Sequence, residues 1–291
     1  MKIAVCVARV VDPGQPLQVA PRSLSLDEEG LAHSLNAADA HALEAALQVR
    51  DEHPDTQITA ISMGRPPCEE VLRAGLAQGA DRAVLLWNEA FEGSDTLATA
   101  RILAAAMRRV GADLVLCGVR SSDGNTGQVG PQLAELLGIP LLTSVVSMEV
   151  GDEGRSLVAQ RRAGRGYRLV ERAPLPALCT VEAGANRPRY PLLRARLRSQ
   201  SAPIERWGLA ELGLRAEEVG AAGSALRVVS LSPPLPDTRG LTAPPSDMPA
   251  EQRWQMVITG GIEQRQGGPL EGPPEQLAER IMRFLEERAH L

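Results

Sequence analysis

The chain has 291 residues, of which 44% are apolar, 23% charged and 2% aromatic, and its formal net charge is −5. That length and apolar content support a packed core in one large or two small domains, and exclude a collagen, a coiled coil and a mainly disordered chain. The acidic balance and scarcity of rings argue against nucleic acid as a partner, because base-stacking recognition needs basic and aromatic surface.

Lys2 is the only lysine among 31 basic residues, a bias that carries no functional meaning here. Cys6, Cys68, Cys117 and Cys179 form no Cys-x-x-Cys pair and read as buried free thiols. His33, His41, His53 and His290 have no ligand spacing, so no metal site is expected. The opening apolar run is too short for a signal peptide, and no stretch reaches the roughly 18 apolar residues of a spanning helix. The expectation is a soluble, cytoplasmic protein without membrane insertion.

In chain order, Ile3–Val10 is an apolar, β-branched run that predicts a buried strand. A Pro/Gly-rich excursion follows from Asp12 to about Arg22. Asn36 to about Arg50 predicts a helix, Thr56–Met63 a strand, Cys68–Ala77 a helix and Arg82–Leu86 a strand. Ser94 is positioned to cap a long helix with Leu97, Ala100, Ala104, Met107 and Val110 near one face. Asp113–Cys117 predicts a strand, Val129–Leu137 a helix and Leu141–Val146 a strand. This alternation predicts a parallel sheet with helices on both faces. Ser156–Arg162 and Tyr167–Arg172 flank Ala163-Gly-Arg-Gly and predict a hairpin, and Pro176–Val181 a last strand. Residues 183–203 read as an irregular, arginine-rich loop. Residues 226–275, rich in Pro and Gly, read as an extended arm. A closing amphipathic helix carries Leu277, Ile281, Phe284, Leu285 and Ala289.

The informative stretch is Gly118-Val-Arg-Ser-Ser-Asp-Gly-Asn-Thr-Gly-Gln-Val-Gly-Pro131, between a strand and a helix. Ligands of open parallel sheets bind beyond the carboxyl ends of the strands, and a Gly-rich turn into a helix start offers free N–H groups to a phosphate. Thr126 and Gln128 add donors, while Gly124, Gly127 and Gly130 permit close approach. An ordinary turn with a helix cap fits the same residues equally well. Asn36 and Asp39 form a capping pattern, and the same loop is placed to face the crevice, as is Met63-Gly64. Three such strand ends suit an adenine nucleotide. No dinucleotide fingerprint, P-loop or Gly-x-Ser-x-Gly elbow occurs, and no catalytic triad assembles from spacing, so binding or electron transfer through a cofactor fits better than acid–base catalysis.

These residues resemble a known family. Lys2–Asp12, Ser34-Leu-Asn-Ala-Ala-Asp39, Ser62-Met-Gly64, Ala77-Gln-Gly-Ala-Asp-Arg82, Asp123-Gly-Asn-Thr-Gly-Gln-Val-Gly-Pro131 and Asn186-Arg-Pro-Arg-Tyr-Pro191 are similar, in order, to landmarks of the β subunits of electron transfer flavoproteins. The resemblance spans nearly the whole chain. The Asp123–Pro131 form and the run Phe91–Thr99 are closer to the bifurcating and nitrogen-fixation-associated branch than to the mitochondrial type. It implies a three-layer α/β sandwich with a mainly parallel sheet, of the adenine nucleotide α-hydrolase-like kind, over residues 1–220. An arm and helix over 221–291 would contact an α subunit in a heterodimer. One FAD would lie mainly on that α subunit, and AMP or a second FAD on this chain. The nucleotide contacts implied are Cys6, Asn36, Ala37, Ala38, Asp39, Met63, Ser122, Asp123, Gly124, Asn125, Thr126, Gly127, Gln128, Val129, Gly130, Pro131, Gln132 and Leu133. Leu193, with Arg194 and Arg196 beside it, would dock on a partner dehydrogenase.

The sequence departs from the family pattern at Asn125 (usually Asp in that branch), Gly127 (usually Ala), Val119-Arg120 (a basic–Gln pair), and Ala37-Ala38 (Pro and an aromatic). The flavin-contacting Tyr of ordinary members falls near Pro13. AMP and a second FAD both stay open, and so does bifurcation. The implied role is an electron carrier rather than a conventional enzyme, between an acyl-CoA-type or other flavin dehydrogenase and a quinone reductase, ferredoxin or flavodoxin. The alternative is a stand-alone adenine-nucleotide-binding α/β module of the stress-protein type.

Overall fold

The computed structural model describes residues 1–15, 17, 19–20, 26, 30–151, 154–232, 244, 247–258 and 272–287. Met1–Leu231 and Ser232–Leu291 form two compact units. In the first, β1 (Lys2–Cys6) precedes a small antiparallel pair, β2 (Arg9–Val11) and β3 (His33–Leu35). Then come α1 (Ala37–Glu52), β4 (Gln57–Met63), α2 (Glu69–Gln78), β5 (Arg82–Leu86), α3 (Thr96–Val110), β6 (Leu114–Gly118) and α4 (Val129–Leu137). A meander of β7 (Leu141–Gly151), β8 (Ser156–Arg162) and β9 (Arg168–Pro174) leads into β10 (Ala177–Val181). Helix α5 (Leu193–Ser201), strand β11 (Glu205–Trp207) and two short helices, α6 (Leu209–Leu212) and α7 (Gly220–Gly223), complete the unit. In the second unit the described helices are α8 (Ala250–Ile258) and α9 (Pro274–Glu287).

The main sheet has nine strands in the order β11-β5-β4-β1-β6-β10-β7-β8-β9. Every pairing from β11 to β7 is parallel, and the β7–β8 and β8–β9 pairings are antiparallel, so β8 alone runs against the other eight strands of this sheet. Strand polarity alternates side chains between the two faces. Ile3 and Val5 therefore join Leu43, Leu47 and Leu72 of α1 and α2, while Ala4 joins Ile102, Met107 and Leu133 of α3 and α4. Two apolar layers on one sheet make the expected three-layer sandwich. The chain builds β4 and β5 on one side of β1, and then α3 carries it back to β6 on the other. The order reverses between β1 and β6, where an open sheet forms its crevice.

Three expectations change. The first apolar run divides, because the chain leaves the main sheet after Cys6 and Arg9–Val11 pairs with β3. Ser94 does not cap α3; Asp95 does, accepting the Ala98 N–H at 2.8 Å, while the Ser94 hydroxyl donates to the Phe91 carbonyl. Residues 183–203 are not irregular throughout, since Leu193–Ser201 is helical. Between Pro191 and Pro203 the residues are mainly Leu, Arg, Ala and Ser, which favour a helix well enough once Arg73 of α2 donates to the carbonyls of Ser199, Gln200 and Ala202 near its end. About half of the arm assigned to 226–275 lies outside the described residues, as do the side chains of Phe284, Leu285 and Ala289; α8 falls within that stretch.

The core is sensitive to truncation. Leu43 is fully buried and Leu197 of α5 is exposed. Leu43→Ala should lower the unfolding free energy by about 2–5 kcal/mol. Leu197→Ala should stay within about 0.5 kcal/mol of wild type. Urea denaturation of both variants checks the contrast.

Candidate functional site

The crevice at the β1/β6 switch opens into a cavity of about 390 Å³, within the size range of small-molecule sites. Its walls come from the ends of β1, β4 and β6, the start of α1, the loop into α3 and the loop into α4.

Asp39 organises it. One carboxylate oxygen accepts the Ala8 N–H at 2.9 Å and the other the Gly118 N–H at 2.8 Å. The side chain thus ties the segment after β1 to the end of β6, across the point where the sheet order reverses. Asn36 stands at the N-cap of α1 but its side chain does not cap the helix. Its amide instead donates to the Arg120 carbonyl at 3.0 Å, holding the α4 loop. The capping pattern has the right position and a different use, because both side chains find backbone partners brought in from distant sequence. Gly118 is required for this approach: a Cβ there would lie 2.5 Å from an Asp39 oxygen and 2.6 Å from the Ala38 Cβ.

The α4 loop is pinned at both ends. Asn125 and Gly127 take left-handed φ values of 50° and 63°, and Thr96 of α3 donates to Gln128 at 3.0 Å. No side chain caps α4, whose first residues Val129 and Gly130 line the cavity, so the N–H groups of its first turn have no side-chain acceptor. Gly130 owes its lack of a side chain to the sheet and not to a ligand. A Cβ there would come within 2.6 Å of Thr180 and 3.1 Å of the Cys117 sulfur.

Burial pushes the Asp39 carboxyl up to about 6, against the pull of its N–H donors. Burial, with the Asp39 charge beside it, pushes the Cys6 thiol up to about 12; Cys117 is raised for the same reasons. Both thiols are neutral walls and not nucleophiles. Burial also acts on Asp95, but backbone N–H donors outweigh it and hold the carboxyl below the usual range.

Of the contacts expected from the sequence, Cys6, Asn36, Asp39, Met63, Asp123, Gly124, Thr126, Gly127, Gln128, Val129 and Gly130 line the cavity. Ala37, Ala38, Ser122, Asn125, Pro131, Gln132 and Leu133 do not: Ala38 packs under Gly118, and Leu133 turns into the core between α4 and the sheet. The sequence reading missed Ser94, Asp95, Thr96 and Thr99 at the start of α3. The signal was present, because an Asp cap on a helix that follows a parallel strand lies at the same sheet end as the other loops. Leu193, Arg194 and Arg196 sit on α5, exposed. Just before them Arg189 is paired with Glu44 at 2.9 Å and Asp51 at 2.7 Å on α1.

A family-level comparison matches residues 23–212 to the electron transfer flavoprotein domain. The chain belongs to the electron transfer flavoprotein family. It is 39% identical over 236 residues to the caffeyl-CoA reductase-Etf complex subunit CarD of Acetobacterium woodii, covering 80% of this chain and 88% of that protein. It is 36% identical over 248 residues to the electron transfer flavoprotein subunit beta of Megasphaera elsdenii (83% and 90% covered), and 38% identical over 229 residues to protein FixA of Azorhizobium caulinodans (77% and 80% covered). The β-subunit resemblance drawn from the sequence is borne out. No described helix is long and apolar enough to cross a membrane.

Asp39→Asn tests the bracket. An amide nitrogen cannot accept, whereas both oxygens of the carboxyl can even when it is protonated, so at pH 4 the variant should be less stable by about 1–3 kcal/mol. The folded pKa of about 6 lies above the ordinary 3.8, so the folded chain holds this proton more tightly than the unfolded one. The contribution is therefore complete below the ordinary value and lost as pH rises through 6. The gap between wild type and variant should narrow as pH is raised from 4 to 7, read as thermal midpoints across that range.

Proposed function

We propose that this chain is the β subunit of a heterodimeric electron transfer flavoprotein, and that the cavity at the β1/β6 switch holds the adenylate part of AMP or of a second FAD. The observation that carries the reading is the cavity floor: the Asp39 bracket joins two strand ends beneath a loop whose helix start offers the Val129 and Gly130 N–H groups. These uncapped amides suit a phosphate. Asp39 and Asp95 do not oppose it strongly, since the oxygens of each are already engaged by backbone N–H groups. The size of the cavity fits an adenylate group. A bound flavin supplies the one- and two-electron chemistry, and the protein supplies binding and orientation. Cys6, Met63 and Ile61 give the cavity apolar wall, Thr126 and Gln128 polar contacts, and Arg120 a cation. The α subunit would carry the main FAD. The complex would pass electrons from a flavin dehydrogenase to a quinone reductase, ferredoxin or flavodoxin.

Mass spectrometry of the nucleotide released from the purified heterodimer tests this. AMP or FAD is the expected result, and a colourless protein that only self-associates would favour a stand-alone nucleotide binder. Gly124→Asp is the matching variant, because a Cβ there meets only the Ser121 hydroxyl, at 3.7 Å. It places a charge in the cavity without displacing the sheet. Nucleotide per heterodimer should fall about tenfold with the thermal midpoint nearly unchanged.

Docking is expected at α5, where Leu192, Leu193 and Leu197 are all exposed beside Arg194 and Arg196. A leucine filling a partner's pocket contributes roughly 1.5–3 kcal/mol. Leu193→Ala should therefore slow electron transfer from the dehydrogenase about tenfold at unchanged flavin content. Replacing Arg194 and Arg196 should lower the association rate at low ionic strength and little at high salt. Stopped-flow reduction over a salt series separates the two effects.

A further inference from the structure

The chain passes from β10 to α5 through residues 182–192, of which 187–192 belong to no helix or strand. Side chains of α1 set its course. The Asn186 amide donates to the His41 carbonyl at 2.9 Å, which turns its Oδ1 toward the His41 Nδ1 at 2.8 Å. An amide oxygen only accepts, so the ring proton sits on Nδ1 and Nε2 accepts the Gly184 N–H at 3.0 Å. Further along, the backbone N–H, Nε and Nη2 of Arg189 all donate to the Glu44 carboxylate, at 3.0, 3.0 and 2.9 Å. Nη2 also reaches Asp51 at 2.7 Å. His41, Glu44 and Asp51 are three and seven residues apart, so they share one face of α1. Glu44 is buried, and a carboxylate removed from water needs these donors.

The other end is held as well, where Arg73 of α2 donates to the carbonyls of Ser199, Gln200 and Ala202. What lies between the two holds faces outward. Tyr190 is 96% exposed, and Leu192, Leu193 and Leu197 are exposed beside it. Pro191 keeps Tyr190 extended, and in extended backbone neighbouring side chains diverge. Holding Arg189 against α1 therefore turns Tyr190 away from it. A loose segment loses conformational freedom when a partner binds, and a segment already ordered does not.

We propose that His41 and Glu44 are positioning residues for docking. They fasten residues 184–189 to α1 and so keep Tyr190 and the leucines of α5 pre-set for a flavin dehydrogenase. This rests on the docking reading of α5 above. Glu44 acts through Arg189, whose guanidinium is engaged internally and is not one of the steering charges at the rim. Arg194 and Arg196 are exposed on α5 and differ from it in that respect.

The test is stopped-flow reduction of the purified heterodimer by the acyl-CoA-type dehydrogenase of the same cells, itself reduced with its acyl-CoA, over a range of dehydrogenase concentrations. Glu44→Ala should raise the half-saturating concentration about tenfold, with the limiting rate within twofold of wild type and flavin content unchanged. Glu44→Gln keeps one acceptor for the Arg189 N–H and should recover part of the loss. The effect should persist at high ionic strength, where that of Arg194 and Arg196 fades. If Glu44→Ala does not fold, Arg189→Lys carries the same expectation, because it keeps the charge and loses the fork. An unchanged half-saturating concentration, with Leu193→Ala still impaired, overturns the positioning role and leaves docking at α5 standing. A loss confined to limiting rate or flavin content makes Glu44 a residue of the fold alone and also overturns it. If Leu193→Ala is unimpaired too, the docking reading falls and this inference with it.

Discussion

Two backbone N–H groups, those of Ala8 and Gly118, converge on the single carboxylate of Asp39, and the site depends on that convergence. The sheet reverses its order between β1 and β6, whose ladder runs only to Val5 and Leu116, so beyond it the segment after β1 and the end of β6 need another tie to hold them at a set spacing. A buried carboxylate supplies the spacing, because both oxygens must be satisfied once water is excluded. The requirement reaches outward. Gly118 must lack a side chain for α1 to approach, and α1 in turn brings Asn36 to the Arg120 carbonyl.

The same end of the sheet gathers three helix starts, those of α1, α3 and α4, and the chain treats them unequally. At α3 the Asp95 carboxylate caps the start; at α1 no side chain does, but the Asp39 carboxylate lies in its first turn; at α4 there is neither a cap nor an acid. Unsatisfied N–H groups on a water-exposed helix start cost little, and on a cavity wall they select for an acceptor. Electrostatic preference therefore rests with α4, although three carboxylates line the cavity. Burial of this bracket is also what raises the Asp39 pKa.

Asp95 links this cavity to the end of the unit. Its Oδ1 caps α3, whose Thr96 reaches the α4 loop through Gln128, while its Oδ2 holds Ala225 and Leu226. Neighbouring segments that share one carboxylate are energetically coupled. The cavity wall and the departure of the C-terminal segment are thus set by the same residue.

Periodicity alone determined the alternating strands and helices, since burial on both faces leaves continuous apolar runs and helix faces leave a 3.6-residue repeat. Val129–Leu137 and Arg82–Leu86 were legible to the residue. The Gly-rich run 118–131 was legible as a loop at a strand end, because φ > 0 and close approach need glycine. Tertiary structure decided what pattern could not. Asn36 and Asp39 look like a local cap, and only the arrival of residues 8, 118 and 120 gives them other partners. Gly130 looks like clearance for a ligand, and only the packing of α4 on Thr180 shows that the sheet needs it. Helix α5 was hidden between two prolines until Arg73 of α2 met its last carbonyls. In each case the deciding interaction joins residues far apart in sequence, and a hydrogen bond over that separation leaves no periodic trace in the chain.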